Sequence, residues 1–158
     1  MLEAAIRACP ERAWSDPQKR PEWVAGNVVG FWYVAYHVVF WLDYYLADAG
    51  DEYAPPAPFD RCEMDPAGVL PERAYTKEEV LGFLERARAR FGAAIADLEE
   101  EDFVRLSNSR QQFSRAELLL YNMRHVQHHA AQLHLLLRQM TDSTPGWVSR
   151  TKVPLGDS

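Results

Sequence analysis

The sequence predicts an all-α protein, a four-helix bundle forming one domain over residues 1–158. Two long segments repeat apolar residues at alternating steps of three and four, the period of one helical face. Two helix starts carry capping boxes with hydrophobic staples. No segment alternates with the period of two that a half-buried strand requires, and there is no internal repeat. A chain of 158 residues is long enough to bury a sizeable core.

The first helix is expected from Leu2 to Cys9, where Pro10 stops it. The second is expected from about Gly26 to Ala47, ending before Gly50. It holds the aromatic stretch Phe31-Trp32-Tyr33-Val34-Ala35-Tyr36-His37-Val38-Val39-Phe40-Trp41. The run from Val28 to Leu46 has the length of a membrane span, yet it carries His37, Asp43 and four tyrosines whose polar groups need partners in lipid. A bundle helix buried on most sides accounts for the same composition, so no membrane partner is expected.

Thr76 with Glu79, and Ser114 with Glu117, form the capping boxes that open the third and fourth helices. Tyr75 and Phe113 precede these caps and can meet Val80 and Leu118. After Thr76, the apolar face is Val80, Leu84, Ala87, Phe91, Ile95 and Leu98. After Ser114 it is Leu119, Met123, Val126, Ala130, Leu133, Leu137 and Met140. The connections are rich in proline: Ser15 to Glu22 holds Pro17 and Pro21, and Tyr53 to Pro71 holds Pro55, Pro56, Pro58, Pro66 and Pro71. The second is long for a bundle connection, so it is either an ordered cover or a functional loop.

The most informative segment is Arg124-His125-Val126-Gln127-His128-His129-Ala130-Ala131-Gln132-Leu133. His125 and His129 lie four residues apart and point the same way from one helix. At about 100° per residue, His125, His129 and Gln132 form a row on the inward side, whereas His128 and His134 fall on its opposite flanks. Two imidazoles one turn apart can grip a divalent metal ion, and three protein ligands with a position open mark a reactive site. His37, isolated in its aromatic segment, is the candidate third ligand. Gln132 can hydrogen-bond a ligand imidazole or serve as an ordinary buried amide. Tyr33, Trp41 and Tyr44 share the face of His37 and are candidates both for lining a pocket and for core packing. Asp43 and Glu117 are set too far around or along their helices to serve the trio as acid or base.

Composition narrows the partners. A net charge of −6 with scattered Lys and Arg argues against a nucleic-acid binder. Cys9 and Cys62 fit neither a disulfide framework nor a zinc ribbon, and the N-terminus lacks the layout of a secretory signal, so a cytoplasmic location is expected. Acidic neighbours Glu63 and Asp65 should raise the Cys62 thiol pKa and keep it inert. Trp147 and Arg150 are candidates for folding over the bundle end or another subunit, with simple tail packing the alternative.

His37 on the second helix, followed by His125-x-x-x-His129-x-x-Gln132 on the last, resembles the pattern of the DinB-like superfamily. The segments Leu70-Pro71-Glu72-Arg73, Tyr75-Thr76-Lys77-Glu78-Glu79 and Pro145-Gly146-Trp147-Val148-Ser149-Arg150 look like those of a bacterial branch of it. The resemblance implies a four-helix bundle holding zinc or nickel through three histidines, often as a homodimer. It also implies a small-molecule substrate and a low-molecular-weight thiol such as bacillithiol, mycothiol or glutathione, used in transferase or isomerase chemistry. The first expectation is therefore a metal-dependent S-transferase. A metal-dependent hydrolase, or a non-catalytic metal-binding or interaction protein, are the alternatives. The aromatic load of the second helix, with Phe31, Trp32, Tyr36 and Phe40, exceeds one narrow stripe and suggests a homodimer interface.

Overall fold

The helix Phe31–Ala47 is wrapped by the rest of the chain: Phe31, Trp32, Val34, Ala35, Tyr36, Val38, Val39 and Phe40 are all essentially without solvent contact. The computed structural model describes residues 1–16, 30–107 and 112–149. Within them the α-helices are α1 (Leu2–Ala8), α2 (Glu11–Trp14), α3 (Phe31–Ala47), α4 (Lys77–Ala96) and α5 (Arg115–Thr141). Short 3-10 turns lie at Gly50–Glu52, Cys62–Met64 and Glu100–Phe103. Among the described residues there is no strand beyond an isolated bridge between Leu106 and Ser114. Helix α3 packs on α4 and α5, and α1 lies across α4 and α5, so α1, α3, α4 and α5 make the four-helix bundle. No helix among the described residues is long and apolar enough to cross a membrane.

The ends of the elements follow from particular residues. Helix α1 stops at Ala8, with Cys9 already extended ahead of Pro10. Pro10 then caps α2, a single turn not expected from the sequence, because proline fits the extended start of a helix where no amide donor is needed. Helix α3 begins at Phe31 rather than near Gly26, since Gly30 is extended and ends any helix there; Gly26 itself lies outside the described residues, as do Pro17 and Pro21 of the preceding connection. At Gly30 a Cβ would stand 2.9 Å from the Asp16 carbonyl oxygen, so only glycine lets the two backbones approach.

Helices α4 and α5 start at the two caps. Thr76 Oγ1 accepts from the Glu79 amide at 3.2 Å while Glu79 accepts from the Thr76 amide at 2.7 Å. Ser114 and Glu117 make the same reciprocal pair at 3.2 and 2.9 Å. On α4 the buried face is Val80, Phe83, Leu84 and Ala87. Ile95 is about half exposed because the last turn of α4, with Gly92, Ala93 and Ala96, runs into solvent. On α5 Ala130, Leu133 and Leu137 are buried, but Met123, at the edge of that face, is also about half exposed.

Tyr53, Phe59 and Pro71 are buried, so the proline-rich connection is an ordered cover over α3 and α4. Phe59 stacks on Tyr36 and Phe83 with ring centroids 5.7 and 4.5 Å apart. The four aromatic residues expected at a dimer surface, Phe31, Trp32, Tyr36 and Phe40, are consumed by this core; they supply no interface. Trp147 does not cover the bundle end but stands 77% exposed. The tail is held by the bond of His134 to Thr144, three residues earlier; Arg150 lies outside the described residues.

The charged group of α3 that is fully buried is Asp43. Asp43 accepts from the Tyr53 hydroxyl at 2.9 Å and faces Arg86 and Arg90 at 3.7 and 3.4 Å, which joins cover, α3 and α4. The two arginines keep 47% and 29% of their side-chain exposure, so removing the carboxylate leaves them hydrated rather than stranded. Asp43→Ala is therefore expected to cost about 1–3 kcal/mol, less than the ~3–5 kcal/mol of splitting a fully buried ion pair. Tyr53→Phe, which spares the ion pairs, should cost about 1 kcal/mol. Urea denaturation measures both.

Candidate metal centre

Helix α3 and helix α5 face each other, and the same faces that bury their apolar residues bring His37 against His125 and His129. The ring centroids of His37 lie 5.5 Å from His125 and 4.9 Å from His129, and those of His125 and His129 are 4.6 Å apart. One nitrogen from each imidazole falls within 4.8 Å of the other two. Among the described residues this is the group of histidines, cysteines and carboxylates so gathered.

Each imidazole has a different environment. His37 Nδ1 lies 2.7 Å from Glu63 Oε2; a carboxylate oxygen accepts, so Nδ1 carries the proton and the lone pair sits on Nε2. The same Glu63 oxygen accepts from Trp41 Nε1 at 2.8 Å. His129 Nδ1 stands 2.7 Å from Gln132 Oε1, and the Gln132 amide nitrogen donates to His128 Nε2 at 3.1 Å, again leaving Nε2 as the basic nitrogen of His129. His125 stacks against Tyr121 at 6.2 Å with the rings nearly parallel, and its Nδ1 is buried without a hydrogen-bond partner.

The electrostatics keep α5's two imidazoles neutral. Burial drives the His125 pKa down to about 3, with His129 and His37 adding to it. Burial, then His37, drives His129 down to about 4. Burial pushes the Glu63 carboxyl up, but the hydrogen bond and electrostatic pull of His37, with hydrogen bonds from Tyr33 and Trp41, together outweigh it and hold Glu63 below the usual carboxylate range. Neutral imidazoles are the form that binds a metal ion. Three nitrogens on one tetrahedral zinc ion stand roughly 3.3 Å apart, a spacing that small side-chain rotations reach from the one found here. His125 Nδ1, buried and without a hydrogen-bond partner, lacks the support that Nδ1 of His37 and of His129 receives.

The other sequence candidates separate. Gln132 bonds the His129 imidazole. Tyr33 and Trp41 flank His37, with ring centroids 6.3 and 6.4 Å away. Tyr44 is buried and packs edge-on against Trp41 and Tyr53, so it belongs to the core behind the site. His128 is exposed and His134 bonds Thr144 on another side of α5. Cys62 is pushed up to about 12, by burial first and then by Asp60 and Asp65; Glu63, expected to act on that thiol, is turned instead to His37. A cavity of about 510 Å³ between α1, α4 and α5, walled by Leu2, Leu84, Phe91 and Val126, contains none of the three histidines.

Glu63 is the residue that sequence reasoning missed. Its proximity to Cys62 was legible, but nothing in spacing ties position 63 to position 37.

The sequence profile of the DinB superfamily matches residues 1–133. The chain belongs to the DinB superfamily. The matched span contains all three gathered histidines and ends just beyond Gln132. No curated protein and no solved structure matches the chain, so DinB membership rests on the family profile.

The depressed pKa values fix the sign of a pH effect in the metal-free protein. Below about pH 6.5 the unfolded chain protonates His125 and His129 while the folded chain does not. Their contribution to stability is therefore complete above that pH and is lost as the pH falls through about 4 and about 3. Chemical denaturation of chelator-treated protein should show stability declining across this window, and His125→Gln should flatten the decline. An equally steep decline in the variant would contradict a neutral, buried His125.

Proposed function

We propose that this DinB-superfamily protein is a metal-dependent enzyme in which His37, His125 and His129 hold one divalent ion, zinc or nickel, and that it joins a low-molecular-weight thiol to an electrophilic small molecule. The observation that carries the reading is the gathering of three imidazoles from two facing helices, with two of them oriented through Nδ1 by Glu63 and Gln132. The group has three members among the described residues, and Glu63 is engaged with His37 rather than completing a fourth protein position. That composition favours a reactive over a closed structural site.

The ion, when bound, supplies a Lewis acid that lowers the pKa of a thiol or a water. The chain's own residues do the rest. Glu63 and Gln132 hold the tautomers that present Nε2. The Tyr33 hydroxyl remains protonated, since burial and then Glu63 raise its pKa, and beside His37 it donates to Glu63. Trp41 and Tyr121 supply flat apolar walls next to His37 and His125. The choice of a thiol co-substrate rests on the likeness to thiol-dependent members of the superfamily.

Protein purified without chelators or a metal-binding tag should carry, or take up on incubation, close to one zinc or nickel ion per chain by elemental analysis. His129→Ala should strongly lower that occupancy. His134→Ala should leave it nearly unchanged, because His134 bonds Thr144 and the Met1 carbonyl rather than the cluster. Equal loss in both variants would remove the three-histidine site. With metal-loaded protein, a panel of bacillithiol, mycothiol and glutathione offered with electrophiles should show enzyme-dependent consumption of one thiol. Consumption of none would end the transferase reading while leaving metal binding intact.

A further inference from the structure

The proline-rich cover reaches the histidine trio through one side chain. Glu63 lies on the 3-10 turn Cys62–Met64, and its carboxylate is nearly enclosed, with 4% side-chain exposure. Its partners all lie on α3: His37 Nδ1 at 2.7 Å and Trp41 Nε1 at 2.8 Å, two donors one helical turn apart on the same oxygen, and the Tyr33 hydroxyl. Around it Met64 packs against the core and Arg61 bonds the Asp51 carbonyl at 2.6 Å. Asp60, Arg61 and the stretch Asp65 to Val69 are exposed, whereas Tyr53 and Phe59 are anchored in the core on the near side and Pro71 on the far side.

We propose that Glu63 is a positioning residue that couples ion binding at His37, His125 and His129 to closure of the cover segment 60–69; this rests on the metal reading above. Three physical steps lead there. A carboxylate on Nδ1 fixes the protonated nitrogen of His37, so that Nε2 is the one able to donate to an ion, and the negative charge makes the imidazole a stronger donor. Burial of that carboxylate is unfavourable by itself, and its partner on α3 is a ring that an ion would lock in place. Coupling is reciprocal: whatever factor Glu63 adds to the affinity for the ion, the ion returns as stabilisation of the closed turn that carries Glu63. Gln132 gives His129 a similar hydrogen bond from within α5 itself, so it helps orient the ring but ties α5 to no other element. The cover is therefore the part of the fold that registers whether the ion is present.

Four variants and one probe ion test this. Zinc affinity is measured by competition with a chromophoric chelator, and hydrogen exchange is followed at Cys62, Met64 and Asp65, whose amides bond to Asp60 Oδ1, the Arg61 carbonyl and the Cys62 carbonyl. In wild type, zinc should slow exchange at these amides. Glu63→Ala should bind zinc about 10–100-fold more weakly and should lose the zinc-dependent slowing. Glu63→Gln, which keeps an acceptor for His37 but not the charge, should fall between the two. Trp41→Phe removes the indole donor and should keep zinc affinity within a few-fold of wild type, which a general loosening of the cover would not. Gln132→Ala should weaken zinc binding without changing the zinc-dependent slowing at the turn. Circular dichroism of each metal-free variant separates these effects from misfolding. If wild type binds zinc and Glu63→Ala binds it within about twofold, or if zinc leaves the turn's exchange unchanged in wild type, the coupling is wrong and the metal site stands. If wild type binds no zinc or nickel, both readings fall.

Discussion

Helix α3 is buried on nearly every side, so its polar groups need partners from other elements: His37, Trp41 and Asp43 find them, while the Tyr36 and Tyr44 hydroxyls do not. A buried polar group without a partner costs about 1–3 kcal/mol, so this requirement shapes the molecule around the helix. Asp43 draws the Tyr53 hydroxyl from the cover and Arg86 and Arg90 from α4. Trp41 and His37 draw Glu63 from further along the same cover. The long connection between α3 and α4 is ordered for this reason. Its aromatic residues Tyr53 and Phe59 supply the burial, and its polar contacts complete what α3 lacks. The candidate metal centre sits where one of these debts of polarity is met by a carboxylate on one side of His37 and by two imidazoles on the other.

Much of this was legible in the sequence, and the division follows the range of the interactions. The caps at Thr76 and Ser114 are local, spanning three residues, and they set the starts of α4 and α5. The pairing of His125 with His129 is also local, because helix periodicity alone sets the angle between them. His37 stood out through its contrast with apolar neighbours, and the resemblance to the superfamily joined it to the other two. Glu63 was invisible to such reasoning: its contact with His37 depends on the path of the cover, and its local setting beside Asp60, Cys62 and Asp65 suggested a solvated acidic loop. The aromatic residues of α3 erred in the other direction. Their number suggested an external surface, but the cover and α4 bring Phe59, Tyr75 and Phe83 to meet them, which no count along one helix can reveal.

The trio is asymmetric, and the asymmetry bears on chemistry. His37 is backed by a charge, His129 by a neutral amide, and His125 by no hydrogen-bonding group at Nδ1. A structural site gains from holding every ligand tightly. Here His37, nearest the cover, is the ring held by a charge, and His125 rests against Tyr121 by ring stacking.

The same asymmetry places the negative charge. Imidazoles that ligate an ion bring none, and Glu63, whose hydrogen-bond donors hold its pKa low despite its burial, brings one. A divalent ion held there would leave these groups with a single positive charge in a low-dielectric setting, where an uncompensated charge is costly. A singly charged anion would balance it, whereas a doubly charged one would overshoot. The charge of the site is therefore set by Glu63, carried to the bundle by its cover.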